Sequence, residues 1–320
     1  MDDLQGCSSF VVSLGGNAIL PAGGGGSLPE QFSVTRATME HVVNFLADGR
    51  RILLTHGNGP IVGNILIRNE AARDQVPPMP LDVCGADSQG GIGYMIQQTL
   101  QNLLRQRDIP IPVVTLVTQV VVDHADAAFD NPTKPIGPFF SGREAQRLRE
   151  EKGWHMEQDS GRGWRRLVPS PRPLEIVELE AIRMQFEAGS VVVTVGGGGI
   201  PVVRDPGGNL AGVEAVIDKD RATMVLARSL RVDGIVIVTA VDQVALHYGT
   251  DRQQEIGRMT VSEARGYLSE GHFPPGSMGP KIEGAIDFLE AGGKAVLITS
   301  PRCIRAALDG KAGTRVVAGG

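Results

Sequence analysis

The positions of three lysines in this chain are best explained if an anion binds near their positive charges. Lys219 lies between Asp218 and Asp220, immediately before a predicted helix over Arg221 to Leu230. Asp220 is the predicted N-cap of that helix. The positive end of a helix dipole disfavours a lysine, so an anion that shares the site would account for Lys219. The alternative is a structural lysine that the flanking aspartates neutralise.

Prolines surround the other two lysines. Pro280 suits the first turn of a helix, which places Lys281 at a second predicted helix N-terminus. Lys134 lies in Asn131-Pro132-Thr133-Lys134-Pro135, and the restricted backbone lowers the entropy cost of aiming its side chain. For an isolated Lys134, a solvent-exposed lysine remains the alternative.

Three glycine-rich turns follow apolar runs that read as strands. Gly15-Gly16-Asn17 follows the first run, and Gly57-Asn58-Gly59 follows the second. The tetrad Gly196 to Gly199 follows Val191 to Val195, a run without polar alternation that predicts a strand covered on both faces. Ligands of open α/β sheets bind at the carboxyl ends of strands. We therefore predict that the turns form an anion site rather than three unrelated bends.

Phosphoryl transfer uses lysines and glycine turns of this kind, because placed cations and N–H groups stabilise the charge of its transition state. The usual nucleotide motifs are missing: there is no GxxxxGK[ST] and no kinase HRD or DFG set, and Gly57 to Gly63 misses GxGxxG by one position. A hydrolytic triad has little support, since no serine stands in GxSxG and no histidine in a recognisable triad motif.

Composition limits the other function classes. The chain has 320 residues, 42% of them hydrophobic, and a net charge of -5, which argues against a nucleic-acid partner. Three distant cysteines predict neither a disulfide framework nor a zinc site. The acidic start Met1-Asp2-Asp3 and the lack of a long apolar run predict no export signal and no membrane span. We expect a cytoplasmic protein.

Alternating strands and helices predict a parallel α/β sheet. The predicted strands are Phe10 to Leu14, Arg51 to Thr55, Val113 to Val122, Val191 to Val195, Ile235 to Thr239 and Ala295 to Thr299. The predicted helices are Val34 to Ala47, Ile61 to Ala72, Cys84 to Arg105, Leu174 to Ala188, Arg221 to Leu230, Val261 to Ser269 and Pro280 to Glu290. The proline-rich stretch Asp123 to Pro173 has no strand of the core type, so we predict a small inserted subdomain or lid.

Eight motifs in order resemble the carbamate kinases, over Val11 to about Thr299. They are Ser13 to Ala18, Thr55 to Pro60, Ser88 to Gly90 with Gly93 and Tyr94, Asn131 to Gly137, Arg165-Arg166, Gly196 to Val202, Val216 to Asp220, and Gly276 to Lys281. The resemblance implies a three-layer α/β/α sandwich with a mostly parallel central sheet, the amino-acid-kinase fold. It also implies a homodimer that binds small molecules, with neither nucleic acid nor membrane as partner.

The resemblance further implies two lobes and their ligands. An N-terminal lobe over 1–212, with the lid over about 123–173, would bind carbamate or carbamoyl phosphate. A C-terminal lobe over 213–320 would bind ATP or ADP. Magnesium would be held through the nucleotide phosphates, with no protein ligand assigned to it.

Site residues carry over by position in this sequence. The phosphoryl group and carbamate would be surrounded by Gly15, Gly16, Asn17, Gly57, Asn58, Gly196 and Gly197. Lys219 and Lys281 would bridge the nucleotide phosphates, and Asp220 would orient these lysines or position the metal through the phosphates. The nucleotide would lie near Ala240, Tyr248 and Met278. Related kinases carry a lysine at the place of Ser13, for which Lys134 would substitute.

Two departures and two alternatives accompany the resemblance. Ala127 replaces a proline usual in the insert, and His247-Tyr248 replaces an Asn-Phe type pair beside the nucleotide. A kinase for an amino-acid carboxylate is the nearest alternative, which Ser13 and Lys134 disfavour. A nucleotide-sensing protein without catalysis is the other, although it would be expected to have lost one of the three lysines.

Overall fold

Strands and helices alternate along most of the chain. The computed structural model describes residues 4, 6–20, 26–158, 163–274 and 277–319. In this part the strands are β1 Ser9–Leu14, β2 Arg51–His56, β3 Val113–Thr115, β4 Gln119–Val122, β5 Lys134–Phe140, β6 His155–Gln158, β7 Trp164–Val168, β8 Pro173–Ile176, β9 Val191–Val193, β10 Ile200–Arg204, β11 Leu210–Gly212, β12 Gly234–Val238, β13 Val244–Leu246, β14 Gln254–Ile256, β15 Arg258–Thr260, β16 Ala295–Thr299 and β17 Thr314–Val317. The helices are α1 Leu28–Ala47, α2 Ile61–Ala71, α3 Leu81–Gln106, α4 Gly142–Lys152, α5 Leu179–Glu187, α6 Lys219–Leu230, α7 Val261–Ser269, α8 Gly279–Glu290 and α9 Ile304–Leu308.

The central sheet has eight strands in the order β15-β17-β16-β12-β1-β2-β9-β3. Every neighbouring pair is parallel except β16 and β17. In the middle of the sheet, Val12 lies opposite Val236 on one side and Leu54 on the other. The predicted, mostly parallel sheet is confirmed. Its carboxyl ends bring the predicted glycine turns to one edge.

Unbroken apolar strands are explained by helices on both faces of this sheet. Alternate residues of a strand point to opposite faces, and Val11 and Leu53 accordingly pack with α5, α6, α7 and α8. Their neighbours Val12 and Leu54 pack on the other face with α1, α3 and α9. Each such buried side chain contributes about 1.5–3 kcal/mol of transfer free energy. The three-layer α/β/α sandwich is therefore the observed architecture.

Two predicted elements are replaced in part by elements of another kind or sheet, whereas α1 differs only in its start, at Leu28 instead of the predicted Val34. The strand predicted over Val113 to Val122 is divided into β3 and β4, and β4 joins a second sheet of order β11-β10-β4-β8. The helix predicted over Leu174 to Ala188 begins only at Leu179, because Pro173–Ile176 pairs with β4 as the edge strand β8. A proline fits an edge strand, where its missing N–H breaks no ladder bond.

The predicted insert has a sheet of its own. Strands β5, β7 and β6 pair antiparallel, and α4 packs on them through Ala145, Leu148 and Met156. Residues 159–162, within this insert, lie outside the described residues. A Cβ atom at Gly63 of α2 would collide with the backbone of Gly137, so the insert lies directly against the body of the protein.

Among the described helices, none combines the length and the apolar character needed to span a lipid bilayer.

Candidate active site

A cleft of about 650 Å³ lies at the carboxyl ends of the central strands. Gly16 follows β1 there, and Gly57 and Asn58 follow β2. Gly197 of the tetrad after β9 and all three predicted lysines also line the cleft: Lys134, Lys219 and Lys281. Elements far apart in the sequence thus place backbone and cations around one space.

Asp220 joins two of the lysines. Its Oδ1 accepts from Nζ of Lys219 at 2.6 Å, and its Oδ2 accepts from Nζ of Lys281 at 2.9 Å. Lys219 also donates, at 2.8 Å, to Oγ of Ser13, which lies in the middle of the sheet. Both ammonium groups are therefore fixed by short bonds, side by side at the floor of the cleft.

The start of helix α6 explains how these groups are aimed. The helix begins at Lys219, and Asp218 is its N-cap, since Asp218 Oδ1 accepts from the backbone N of Asp220 at 2.9 Å and of Arg221 at 3.3 Å. The prediction of Asp220 as the cap was wrong by two residues. Because Asp218 caps the helix, the Asp220 side chain is available to pair with the lysines.

The ionisation of this cluster follows from its pairing. Burial alone would raise the pKa of the Asp220 carboxyl, but Lys219 and Lys281 hold that pKa well below its ordinary value. Burial lowers the pKa of Lys219, which Asp220 opposes and Lys281 reinforces. Two cations therefore share one carboxylate, and the floor of the cleft carries surplus positive charge that favours an anion.

Lys134 enters the cleft from the insert at the first residue of β5. Its Nζ donates to Oδ2 of Asp218 at 2.7 Å. Burial would raise the pKa of Asp218, yet the charge of Lys134 leaves this pKa lowered. This ion pair links the insert directly to the start of α6, so the insert contributes a cation to the same space.

The close approach of neighbouring side chains explains why two positions are glycine. A Cβ atom at Gly57 would lie 3.2 Å from Cδ of Lys219 and would press on the lysine stem. Gly197 has φ 67°, and a Cβ atom there would lie 2.8 Å from Nδ2 of Asn58. Side chains at these positions would close the cleft, which is the physical reason for bare backbone.

The other predicted site residues lie near the cleft without lining it. Gly15 donates its N–H to the carbonyl of Val238 at 2.9 Å and so joins β1 to β12. Asn17 is exposed on a short 3₁₀ turn, and Gly196 is buried as the first residue of the glycine tetrad. Of the motif around Lys281, Pro275 and Gly276 lie outside the described residues.

A second pocket of about 210 Å³ adjoins the cleft. Ala240, Tyr248 and Met278 line it, and Ser277 and Lys281 line both spaces. An apolar pocket next to a cationic cleft suits a ligand with a flat apolar end and an anionic tail. The three residues predicted near the nucleotide are therefore together in one place.

One arginine at the cleft was not predicted as a site residue. Arg165, on β7 of the insert, lines the cleft and donates from Nε to the carbonyl of Gly137 at 3.2 Å. Its neighbour Arg166 packs instead over the ring of Trp154. The Arg165-Arg166 pair was part of a motif, but only the alternation of a strand tells which arginine faces the cleft.

His56 is buried at the end of β2, and burial lowers its pKa to about 4. The neutral ring donates from Nδ1 to the carbonyl of Gly57 at 3.1 Å. Because the unfolded chain binds a proton near pH 6.5 and the folded protein does not, stability is lost as pH falls from 6.5 towards 4. We expect wild type to lose about 2 kcal/mol relative to His56→Gln between pH 7.5 and 5.

Urea unfolding of both proteins across that pH range measures the difference. Parallel stability profiles for wild type and His56→Gln would contradict the buried neutral imidazole.

The two aspartates that line the cleft are engaged by lysines and do not form a set of metal ligands. Within the described residues, no group of three His, Cys, Asp or Glu side chains could hold a metal ion. Asp218 and Asp220 are each already paired with lysines. This arrangement fits a magnesium ion bound through phosphate oxygens, which is a common coordination for that ion.

Comparison with known sequences identifies the fold family. The sequence profile described as the amino acid kinase family matches residues 8–300. The chain belongs to the amino acid kinase family. Within this family it is 48% identical to a carbamate kinase of Pyrococcus furiosus over 96% of this chain and 98% of the relative. It is 46% identical to a carbamate kinase of Trichomonas vaginalis, over 96% and 99%.

A solved structure of the same family has the same fold. The carbamate kinase of Giardia lamblia bound to AMP-PNP superposes with a TM-score of 0.91 at 42% identity, and it covers 98% of this chain and 99% of its own. The amino acid kinase fold and the near full-length relatives thus agree with the cleft geometry.

Proposed function

We propose that this chain catalyses reversible phosphoryl transfer between ATP and carbamate. An oxygen of carbamate bonds to the γ-phosphorus, the bond to the β,γ-bridging oxygen breaks, and ADP and carbamoyl phosphate result. The observation that carries the proposal is the pairing of Lys219 and Lys281 on Asp220 beneath glycine turns. The carbamate kinases that cover nearly the whole chain support it. Formation of ATP from ADP and carbamoyl phosphate tests it.

Each group has a distinct task in this reaction. Lys219 and Lys281 would stabilise the charge on the migrating phosphoryl group and the leaving β-phosphate, and Asp220 would keep both ammonium groups in place. Lys134 would bind the carbamoyl phosphate side. Gly16, Gly57, Asn58 and Gly197 would let phosphoryl oxygens approach the backbone. Magnesium, when bound with the nucleotide, would supply further charge neutralisation at the phosphates.

Two lobes and a lid complete the proposed organisation. Residues 1–212 would hold carbamate or carbamoyl phosphate, and residues 213–320 would hold the nucleotide in the pocket of Ala240, Tyr248 and Met278. The insert over 123–173 would act as the lid. Its separate sheet supports this role, as does its attachment by the Lys134–Asp218 ion pair.

We also propose a homodimer in a reducing cytoplasm. Val83 and Tyr94 are exposed on α3 and stand about three turns apart, on one face of the helix. Val117, 55% exposed, adds to the apolar surface of this region. Cys7, Cys84 and Cys303, all in the described part of the chain, form no disulfide, which fits a compartment that does not form such bonds.

The alternatives have less support. A kinase for an amino-acid carboxylate would be expected to carry a lysine at Ser13, whereas here Ser13 accepts from Lys219. A nucleotide sensor without catalysis needs no cation at the acceptor side. Lys134 lines the same cleft as Lys219 and Lys281, which supports catalysis over sensing.

A further inference from the structure

The motif Ser88-Gln89-Gly90 has no part in the proposed catalysis, yet its central residue lies beneath the glycine tetrad. We propose that Gln89 and Thr118 are positioning residues that clamp the turn over 195–199 and thereby fix the phosphoryl site. This proposal rests on the proposed function. Neither residue lines the cleft, so both would act through the turn rather than on substrate.

The turn over 195–199 has a backbone that needs support. Val195 has φ 52° and ψ 35°, in the left-handed region, where a β-branched residue is a genuine outlier. Gly197, Gly198 and Gly199 also have positive φ. A strained backbone persists only where its surroundings fix it, and such strain collects at functional sites.

Gln89 of α3 fixes one side of the turn. Its Nε2 donates to the carbonyl of Gly196 at 2.9 Å and to that of Thr118 at 3.0 Å. Its Oε1 accepts from the backbone N of Thr118 at 2.9 Å. Gln89 is only 2% exposed, so this amide has no competing water and ties three segments of chain together.

Thr118 fixes the strained residue itself. Its hydroxyl donates to the carbonyl of Leu116 at 2.8 Å, which uses its single hydrogen. Thr118 Oγ1 therefore accepts from the backbone N of Val195 at 3.1 Å and from Oγ1 of Thr194 at 2.8 Å. Thr118 is fully buried in the break between β3 and β4. The split of the predicted strand thus supplies the hydroxyl that holds the turn.

The clamped turn borders the cleft. A Cβ atom at Gly196 would lie 2.5 Å from Nε2 of His56 and 3.0 Å from Cγ of Gln89, so Gly196 has no room to shift. Gly197 contacts Asn58 and lines the cleft. Among the described residues, no acceptor takes the N–H of Gly196 or Gly197. Those two dipoles are free to face an anion only while the turn keeps its shape.

Two isosteric changes test the clamp at Thr118. Thr118→Val keeps the volume and removes the hydroxyl, whereas Thr118→Ser keeps the hydroxyl. For ATP formation we expect Thr118→Val to lower kcat by about 10- to 100-fold, because a small displacement of a binding group suffices for such a loss. KM for ADP should change less than about twofold, and Thr118→Ser should recover most of kcat.

Gln89→Met provides an independent variant, with Gln101→Met as its control. Gln101 lies on the same helix and donates to the carbonyl of Val113 at 3.2 Å, away from the turn. We expect Gln89→Met to resemble Thr118→Val, and Gln101→Met to resemble wild type. A purely structural role would lower the Tm of both glutamine variants and leave kcat unchanged in both.

Hydrogen exchange over 195–199 separates this proposal from the proposed function, because exchange does not require turnover. Faster exchange in Thr118→Val and Gln89→Met than in Thr118→Ser and Gln101→Met supports the clamp, whatever reaction the protein catalyses. Unchanged exchange of this segment in Thr118→Val, or equal kcat for Thr118→Val and Thr118→Ser in an active enzyme, would overturn it. An inactive wild type with the expected exchange pattern would instead refute the proposed function.

Discussion

Replacing Lys219 with methionine is expected to lower the rate of phosphoryl transfer by about 10²- to 10³-fold, on the order of 3 to 4 kcal/mol of transition-state stabilisation. The reason is its position: Nζ of Lys219 is held between Oδ1 of Asp220 and Oγ of Ser13 at the floor of the cleft. Initial rates of ATP formation measure the loss, with KM values taken from the same data.

Stability should change little in Lys219→Met. Asp220 keeps Lys281 at 2.9 Å, so no buried carboxylate is left unpaired, and methionine fills a similar volume. Lys294→Met is the matched control, since Lys294 pairs with Asp233 at 2.6 Å near the opposite end of the strands. A Tm several degrees lower in Lys219→Met with a normal rate would show a structural lysine and contradict the catalytic assignment.

Lys134→Ala is expected to lower turnover by about 10²-fold and to weaken carbamoyl phosphate binding, while ADP binding stays near wild type. Lys134 reaches the cleft from the insert and does not line the pocket of Ala240 and Tyr248. Removal of its charge should therefore affect the acceptor and not the nucleotide. Calorimetry with each ligand separately, together with initial rates, gives the two quantities.

Lys152→Ala is the control for the insert. Lys152 also joins the insert to the body, by a 2.6 Å ion pair with Glu70, but it does not line the cleft. If Lys134 acts on substrate, Lys152→Ala keeps its turnover. An equal loss in both variants would mean that docking of the insert matters and that Lys134 has no direct role. Normal carbamoyl phosphate binding in Lys134→Ala would also remove it from the site.

Local patterns were sufficient for the framework of the site. The apolar runs ending at Leu14, Thr55 and Val195 predicted parallel strands. The turns after them meet at one edge because parallel strands share their carboxyl ends. A helix beginning at Arg221 was also predicted, close to the observed start at Lys219, but the cap residue was predicted wrongly. Asp218 and Asp220 are both good N-caps, and only the folded backbone decides between them.

Long-range contacts account for what the sequence could not predict. Gln89, Thr118 and Gly196 are joined by one buried amide although 29 and 107 residues separate them along the chain. Nothing in the local pattern at Thr118 favours a break in the strand, because Val113 to Val122 is apolar enough for one element. Pairing of β4 with β10 and β8 in the second sheet overrides that propensity.

The central claim is tested most directly by ATP formation from ADP, magnesium and carbamoyl phosphate, with Lys219→Met as the background. The account predicts ATP at a rate about 10²- to 10³-fold above that background. It predicts no comparable rate when carbamoyl phosphate is replaced by an N-acylated amino acid whose carboxylate carries the phosphoryl group. No ATP above the Lys219→Met background, from wild type that melts cooperatively and binds ADP, would contradict it.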